Sequence, residues 1–154
     1  MSAVATAVTP VTPEYWAQAC AHLAKKDRVM KKLIPQFGDA MLETRGDAFV
    51  TLARSIVGQQ ISVKAAQSVW DKFSALTKRL TPAAVLKLKV DDMRAAGLSA
   101  RKVEYLVDLA LHFSNGTVHV KNWHDMDDET IIEELVAIRG IGRWTAEMFL
   151  IFHL

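Results

Sequence analysis

Apolar positions along the chain recur at helical rather than alternating spacing. Phe49, Leu52, Ala53 and Ile56 follow the i, i+3, i+4, i+7 rhythm of one buried helical face. Gly58 breaks that helix, Ser62 caps the next, and Val63, Ala66, Trp70 and Phe73 are its expected apolar side. Thr81-Pro82 and Asp91-Asp92 open two short helices, the second closed by Gly97. Ser99 caps a longer one bearing Val103, Leu106, Val107, Ala110 and Phe113, ended by Asn115-Gly116. Asp127, Asp128 and Glu129 stand where carboxylates favour a helix N-terminus, ahead of buried Ile131, Ile132, Leu135 and Ile138. A last helix runs to the chain end. Towards the other end, Thr12 as N-cap and Pro13 as first helical residue predict a helix over 13–26, and a short segment with Val29, Leu33 and Ile34 ends at Pro35 and Gly38. Only 117–120 reads as extended, too short and isolated for a sheet. The fold class is all-α, with an N-terminal arm at 1–12 and one helical domain over 13–154.

With 154 residues, 51% apolar and 23% charged, the chain has material for one domain with its own core. A net charge of +2 permits a polyanionic partner without signalling one. The run Lys25, Lys26, Arg28, Lys31, Lys32 has two readings, a solvated helix face and a phosphate-attracting patch. Cys20 is the sole cysteine, which excludes an internal disulfide and a thiolate-rich metal site and fits a reducing compartment. No signal peptide is expected, since the opening residues have neither a basic start nor a continuous apolar core, and no membrane span, since no apolar run approaches about 18 residues. His119 and His124 lack a third ligand at zinc spacing, and His22, His112 and His153 stand alone.

One stretch carries chemistry: Ile138-Arg139-Gly140-Ile141-Gly142-Arg143-Trp144-Thr145-Ala146. Two helical patterns meet there at a turn with glycines on both sides of an aliphatic residue. Glycine permits positive φ and close approach of another backbone or a ligand. Ile141 points back into the hairpin, and the first amides of the following helix face outward without internal partners. With the helix dipole they form an anion site suited to a DNA phosphate, where Arg143 adds charge. The plainer reading is a tight helix–helix turn with nothing bound.

Gly140 to Ala146 resembles the hairpin of the helix-hairpin-helix (HhH-GPD) DNA glycosylases, in particular the bacterial 3-methyladenine DNA glycosylase II group. Ile56-Val57-Gly58-Gln59-Gln60-Ile61-Ser62 is similar to that family's loop near the DNA minor groove. Gly97-Leu98-Ser99 with Lys102 and Tyr105-Leu106 is similar to a third signature. The signatures follow the family's order, and the resemblance covers 46–154.

The resemblance implies a base-excision-repair enzyme that binds double-stranded DNA containing alkylated bases, flips out a 3-methyladenine or 7-methylguanine type of purine and hydrolyses its N-glycosidic bond. Gly140, Gly142, Arg143 and Thr145 map onto the phosphate-binding hairpin, and Gln59 and Gln60 onto the minor-groove loop. Gln60 takes the wedge position, filling the hole left by the extruded base. Both glutamines could instead cap neighbouring helices. Trp144 maps to the base pocket, where an indole face attracts a cationic alkylpurine; its plainer reading is a core tryptophan. Bifunctional relatives carry a nucleophilic lysine at this position, so tryptophan implies a monofunctional enzyme. Main-chain oxygens of Val136, Ile138 and Ile141 map onto a site for a monovalent cation, Na+ or K+; no other cofactor, no membrane and no obligate protein partner are expected. The family's catalytic aspartate lies on a loop past the last helix seen here, so it is expected beyond Leu154, and the fold is expected to be incomplete at its C-terminus. Asp125, Asp127 and Asp128 precede the hairpin and read as helix-start residues. No catalytic residue is assigned, and activity of this chain by itself is not expected. The alternative is a non-catalytic helix-hairpin-helix module gripping DNA backbone. The expected location is cytoplasmic, with the nucleoid.

Overall fold

The computed structural model describes residues 12–38, 40–41 and 46–153. The chain divides into two compact units, Met1–Gly46 and Asp47–Leu154, where the sequence pattern suggests one domain from residue 13. The expected arm at 1–12 lies outside the described residues except for Thr12.

In the first unit, helix α1 (Trp16–Lys26) is followed by α2 (Met30–Leu33), which runs into a 3-10 turn at Ile34–Phe37. The expected Thr12 cap is not used. Residues 13–15 form a turn in which Pro13 O accepts from Trp16 N at 2.9 Å, and α1 begins at Trp16. Asp27 caps α2, its Oδ1 accepting from Val29 N at 2.7 Å and Met30 N at 2.8 Å. The basic run is exposed, with Lys25 and Lys26 at the end of α1, Arg28 in the turn and Lys31 and Lys32 on α2.

The second unit contains α3 (Ala48–Gly58), α4 (Val63–Ser74), α5 (Pro82–Val85), α6 (Val90–Ala95), α7 (Ala100–Ser114), a 3-10 turn at Val120–Asp125, α8 (Asp128–Val136) and α9 (Arg143–His153). No strand occurs among the described residues, so 117–120 is not extended structure of that kind. Short polar side chains set the starts: Asp47, Ser62, Thr81, Ser99 and Asp127 each accept from the amide three residues on, at 3.0–3.3 Å. Each such cap stabilises its helix by about 1 kcal/mol.

Helix α3 runs through the middle, packed on α4, α7 and α9, with Phe49, Leu52, Ala53, Ile56 and Val57 buried. Leu106, Leu109 and Ala110 of α7, Leu135 of α8 and Ala146 of α9 complete this core without measurable exposure. Phe49 meets Phe113 edge-on at 5.4 Å, and Trp123 meets Phe149 at the same separation. The buried side of α4 is Trp70 and Phe73. Val63, expected on that side, is 88% exposed, because it is the first residue after the cap and projects past the end of the packed stripe.

Candidate nucleic-acid interface

Helices α8 and α9 are joined through Ala137, Ile138, Arg139, Gly140, Ile141 and Gly142. Ile138 and Ile141 are buried, and Ile141 N donates to Ile138 O at 3.1 Å, so the aliphatic residues lock the bend as the sequence suggests. Gly140 has φ +87°, and a Cβ on it would meet Tyr105 Cδ2 at 2.3 Å. Only glycine satisfies both the left-handed backbone and the ring beneath it. Arg139 secures the turn from its other side. Its amide donates to Asp108 Oδ2 at 2.8 Å, and its guanidinium meets Glu104 Oε2 at 3.3 Å. Helix α7 is therefore the bed on which the bend lies.

Gly142 differs from Gly140. Nothing lies within 4 Å of the position its Cβ would take, and the residue is exposed. In α9 the first helical bond runs from Ala146 N to Gly142 O at 3.0 Å. The amides ahead of it, on Gly142, Arg143, Trp144 and Thr145, have no intrahelical acceptor and sit at the positive end of the helix dipole. An open turn with free amides beside an unobstructed glycine can take a phosphate.

The cation at this end is compensated. Arg143 makes a two-pronged contact with Glu129, at 2.6 and 2.7 Å, and a third with Glu147 at 2.9 Å. Those hydrogen bonds and charges raise the guanidinium's pKa further and hold the Glu129 carboxyl below its usual range. The amides are thus the donors left open at this end, and the charge of Arg143 is balanced by Glu129 and Glu147. Trp144 is 72% exposed, so it is not a core residue.

The second loop comes to the same place. Helix α3 ends at Gly58, and Lys102 Nζ donates to Val57 O at 2.7 Å, with burial lowering the lysine's pKa. Gln59 does not cap a helix with its side chain. Its Nε2 crosses to donate to Gly140 O at 2.8 Å, fastening this loop to the hairpin. Gln60 is exposed with φ +57°, among the described residues the one non-glycine with a positive φ. Exposed Ile61 and Val63 follow it. Lys102 and Tyr105 belong to the third sequence signature, yet their contacts link residues far apart in the chain and leave no periodic trace.

The three carbonyls suggested for a cation are not equivalent. Ile138 O accepts from Ile141 N, whereas no amide of the described residues donates to Val136 O or Ile141 O. Carbonyl oxygens with spare lone pairs fit a hard cation, so the donor set is compatible with one. Among the described residues no cluster of His, Cys, Asp or Glu could hold a metal ion. Of the aspartates before the hairpin, Asp127 caps α8 and Asp128 lies in its first turn, as helix-start residues do, whereas Asp125 ends the preceding 3-10 turn, exposed beside His124 at 3.0 Å.

Residues 53–147 match the family of HhH-GPD superfamily base excision DNA repair proteins. The chain belongs to that superfamily. Among curated HhH-GPD relatives, it is similar to DNA-3-methyladenine glycosylase 1 of Schizosaccharomyces pombe, 33% identical over 141 residues that cover 86% of this chain and 61% of the relative. It is also similar to DNA-3-methyladenine glycosylase of Saccharomyces cerevisiae, 32% identical over 90% of this chain and 52% of the relative. The chain thus spans between half and two thirds of the length of these relatives. Among solved structures, the S. pombe 3-methyladenine DNA glycosylase in complex with abasic DNA superposes with TM-score 0.77 at 30% identity, covering 89% of this chain and 70% of that one. The DNA-3-methyladenine glycosidase of Bacillus halodurans gives TM-score 0.75 at 30% identity, covering 95% of this chain and 67% of that one. The helical architecture is therefore the HhH-GPD fold.

Proposed function

We propose that this chain forms the duplex-gripping and base-exposing face of a monofunctional DNA glycosylase that hydrolyses the N-glycosidic bond of alkylated purines. One observation carries the reading: the open amides after Gly142 and the left-handed turn bearing Gln60 are joined by the Gln59–Gly140 hydrogen bond of 2.8 Å. A grip on the phosphate backbone and a side chain to enter the stack are the two tools base extrusion requires. In this reading Gly142, Arg143, Trp144 and Thr145 supply backbone N–H groups to a phosphate, with Gly140 shaping the bend. Gln60 enters the gap and hydrogen-bonds the orphaned opposite base. Exposed Trp144 stacks on a cationic 3-methyladenine or 7-methylguanine type of base. Having no amine at this position, the chain forms no Schiff base and leaves the strand intact. A Na+ or K+ ion held by Val136, Ile138 and Ile141 oxygens would add positive charge next to the phosphate. The names of the relatives and their likeness over nearly the whole chain support the substrate class. Such a protein would work where the cell keeps its DNA.

The carboxylate that must stabilise the developing sugar cation is not assigned to any described residue. Asp108 is engaged by Arg139, and Glu129 and Glu147 by Arg143, which favours the second reading, a module that grips DNA without cutting it. Both are tested by mixing the chain with methylated duplex, following complex formation by fluorescence anisotropy and released base by chromatography. Salt-sensitive binding is expected under both readings, and released base separates the glycosylase from the module that only grips. Release by these 154 residues at enzymic rates would overturn the second reading. Absence of binding would overturn the function.

A further inference from the structure

We infer that Gln59 is a positioning residue: by bonding Gly140 O it fixes where Gln60 stands relative to the phosphate-binding amides after Gly142. The inference rests on the function proposed above and assigns Gln59 a task separate from contact with DNA.

Gln60 occupies φ +57°, a region that L-residues with side chains leave when nothing restrains them. Restraint before the turn comes from Lys102, whose Nζ holds Val57 O at 2.7 Å. After the turn the Ser62 cap begins α4, its Oγ accepting from Ala65 N at 3.3 Å. Neither contact ties the turn to the hairpin. Gln59 does so alone among the polar side chains of this loop, reaching a carbonyl 81 positions later in the sequence.

The far anchor is itself immobile. Gly140 rests against the Tyr105 ring at φ +87°, and Arg139 beside it is bonded to Asp108. The bond is half-buried, so water competes with it less than it would at the surface. An amide suits the task because the acceptor is a carbonyl, and Nε2 must be the atom that donates. A wedge is productive only when it meets the stack while the grip holds the neighbouring phosphates, and a small misplacement is costly. Gln59 is the one described side chain through which that separation is set directly.

The test compares affinity for an intact duplex with affinity for a duplex carrying a tetrahydrofuran abasic site, whose hole Gln60 can fill. The whole chain is used as wild type, Gln59→Met, Gln60→Ala and the double variant. Gln59→Met keeps the side chain's length and removes the donor. The wild type is expected to prefer the abasic duplex, and Gln59→Met to lose that preference by about tenfold, the effect of one partly buried hydrogen bond. Affinity for intact duplex should fall less than affinity for the abasic duplex. The double variant should lose no more than Gln60→Ala alone, because Gln59 acts through Gln60. Should Gln59→Met unfold, Gln59→Leu, neutral and without a donor, takes its place with the same expectations.

Unchanged preference in the Gln59 variant overturns the inference, as do losses that multiply in the double variant. An equal fall in affinity for both duplexes overturns it too, since that marks general support of the fold. A wild type that binds neither duplex refutes the proposed function, and this role with it. A wild type that binds without preference refutes the wedge.

Discussion

Replacing Gly140 with alanine isolates the geometry on which the hairpin depends. The added methyl would stand 2.3, 2.5 and 2.8 Å from Tyr105 Cδ2, Cγ and Cε2, all inside contact distance. The ring cannot swing away cheaply because Tyr105 is half-buried against the core. Forcing a methyl into such a packed place costs about 1–3 kcal/mol. Holding alanine at φ +87° adds about 1–2 kcal/mol. Alanine's smaller freedom in the unfolded chain returns roughly 0.4–1 kcal/mol. The net loss is then about 1–5 kcal/mol, readable from urea denaturation followed by tryptophan fluorescence. The same substitution in a Tyr105→Ala background should cost only the backbone part, so the cycle's coupling free energy should be about 1–3 kcal/mol. An equal cost in the two backgrounds would refute the ring clash. Gly142→Ala is the internal control: with nothing within 4 Å of the new Cβ, it should leave the denaturation midpoint at or slightly above wild type.

Gly142→Val, which also adds bulk into open space, should leave the fold intact yet block approach of a phosphate and weaken duplex binding severalfold; unchanged affinity would remove Gly142 from the interface. Glu129→Gln frees one side of Arg143, so duplex binding should tighten and the slope of log K against log salt should steepen by up to about 0.9; an unaltered slope would show that Arg143 meets no phosphate. Glu134, 14% exposed, accepts from Trp123 Nε1 at 3.0 Å and His119 N at 3.1 Å, so Glu134→Ala should cost about 1–3 kcal/mol through donors left unpaired. Burial pushes that carboxyl up, but the bonds from Trp123 and His119 prevail and hold it below its ordinary 4.5. In the acid range the unfolded chain therefore binds the extra proton, and stability from this network is complete above 4.5 and lost as pH falls through the lower folded value. Urea midpoints measured across this window should fall less steeply in Glu134→Gln, and identical slopes would refute the assignment.

Much of the second unit can be read in the sequence because its determinants are local. Ser62, Thr81, Ser99 and Asp127 cap helices as their positions suggest, since a cap needs only its own side chain and an amide three residues away. The hairpin's glycines and Ile141 are legible for the same reason. Thr12 and Pro13 mislead, because a cap signal does not oblige the chain to continue helically, and the turn at 13–15 delays α1 until Trp16. Val63 misleads because periodicity says which face is apolar and not how far the packing partner extends. The Glu147 partner of Arg143 is an i, i+4 neighbour and can be seen in principle, whereas Glu129 reaches it across the bend. Gln59 belongs with Glu129: its acceptor is fixed by how α3 and the hairpin pack, which no local rule states.

Helix α7 explains how the strained turn at Gln60 and the tight glycine turn of the hairpin can persist together. Its stripe of Val103, Leu106, Leu109 and Ala110 is buried in the core, which fixes the helix in place. Its remaining surface is then a rigid support: Lys102 holds the end of α3, Tyr105 underlies Gly140, and Glu104 and Asp108 take the side chain and amide of Arg139. A left-handed glutamine is a costly conformation where a flexible loop must find it, and cheap to keep where the contacts on both sides are already rigid; Gly140 takes its positive φ without that cost. Core packing of α7 thus becomes preorganisation of the surface above it. A ligand meeting that surface has little left to order, which favours a grip and a wedge acting in one encounter.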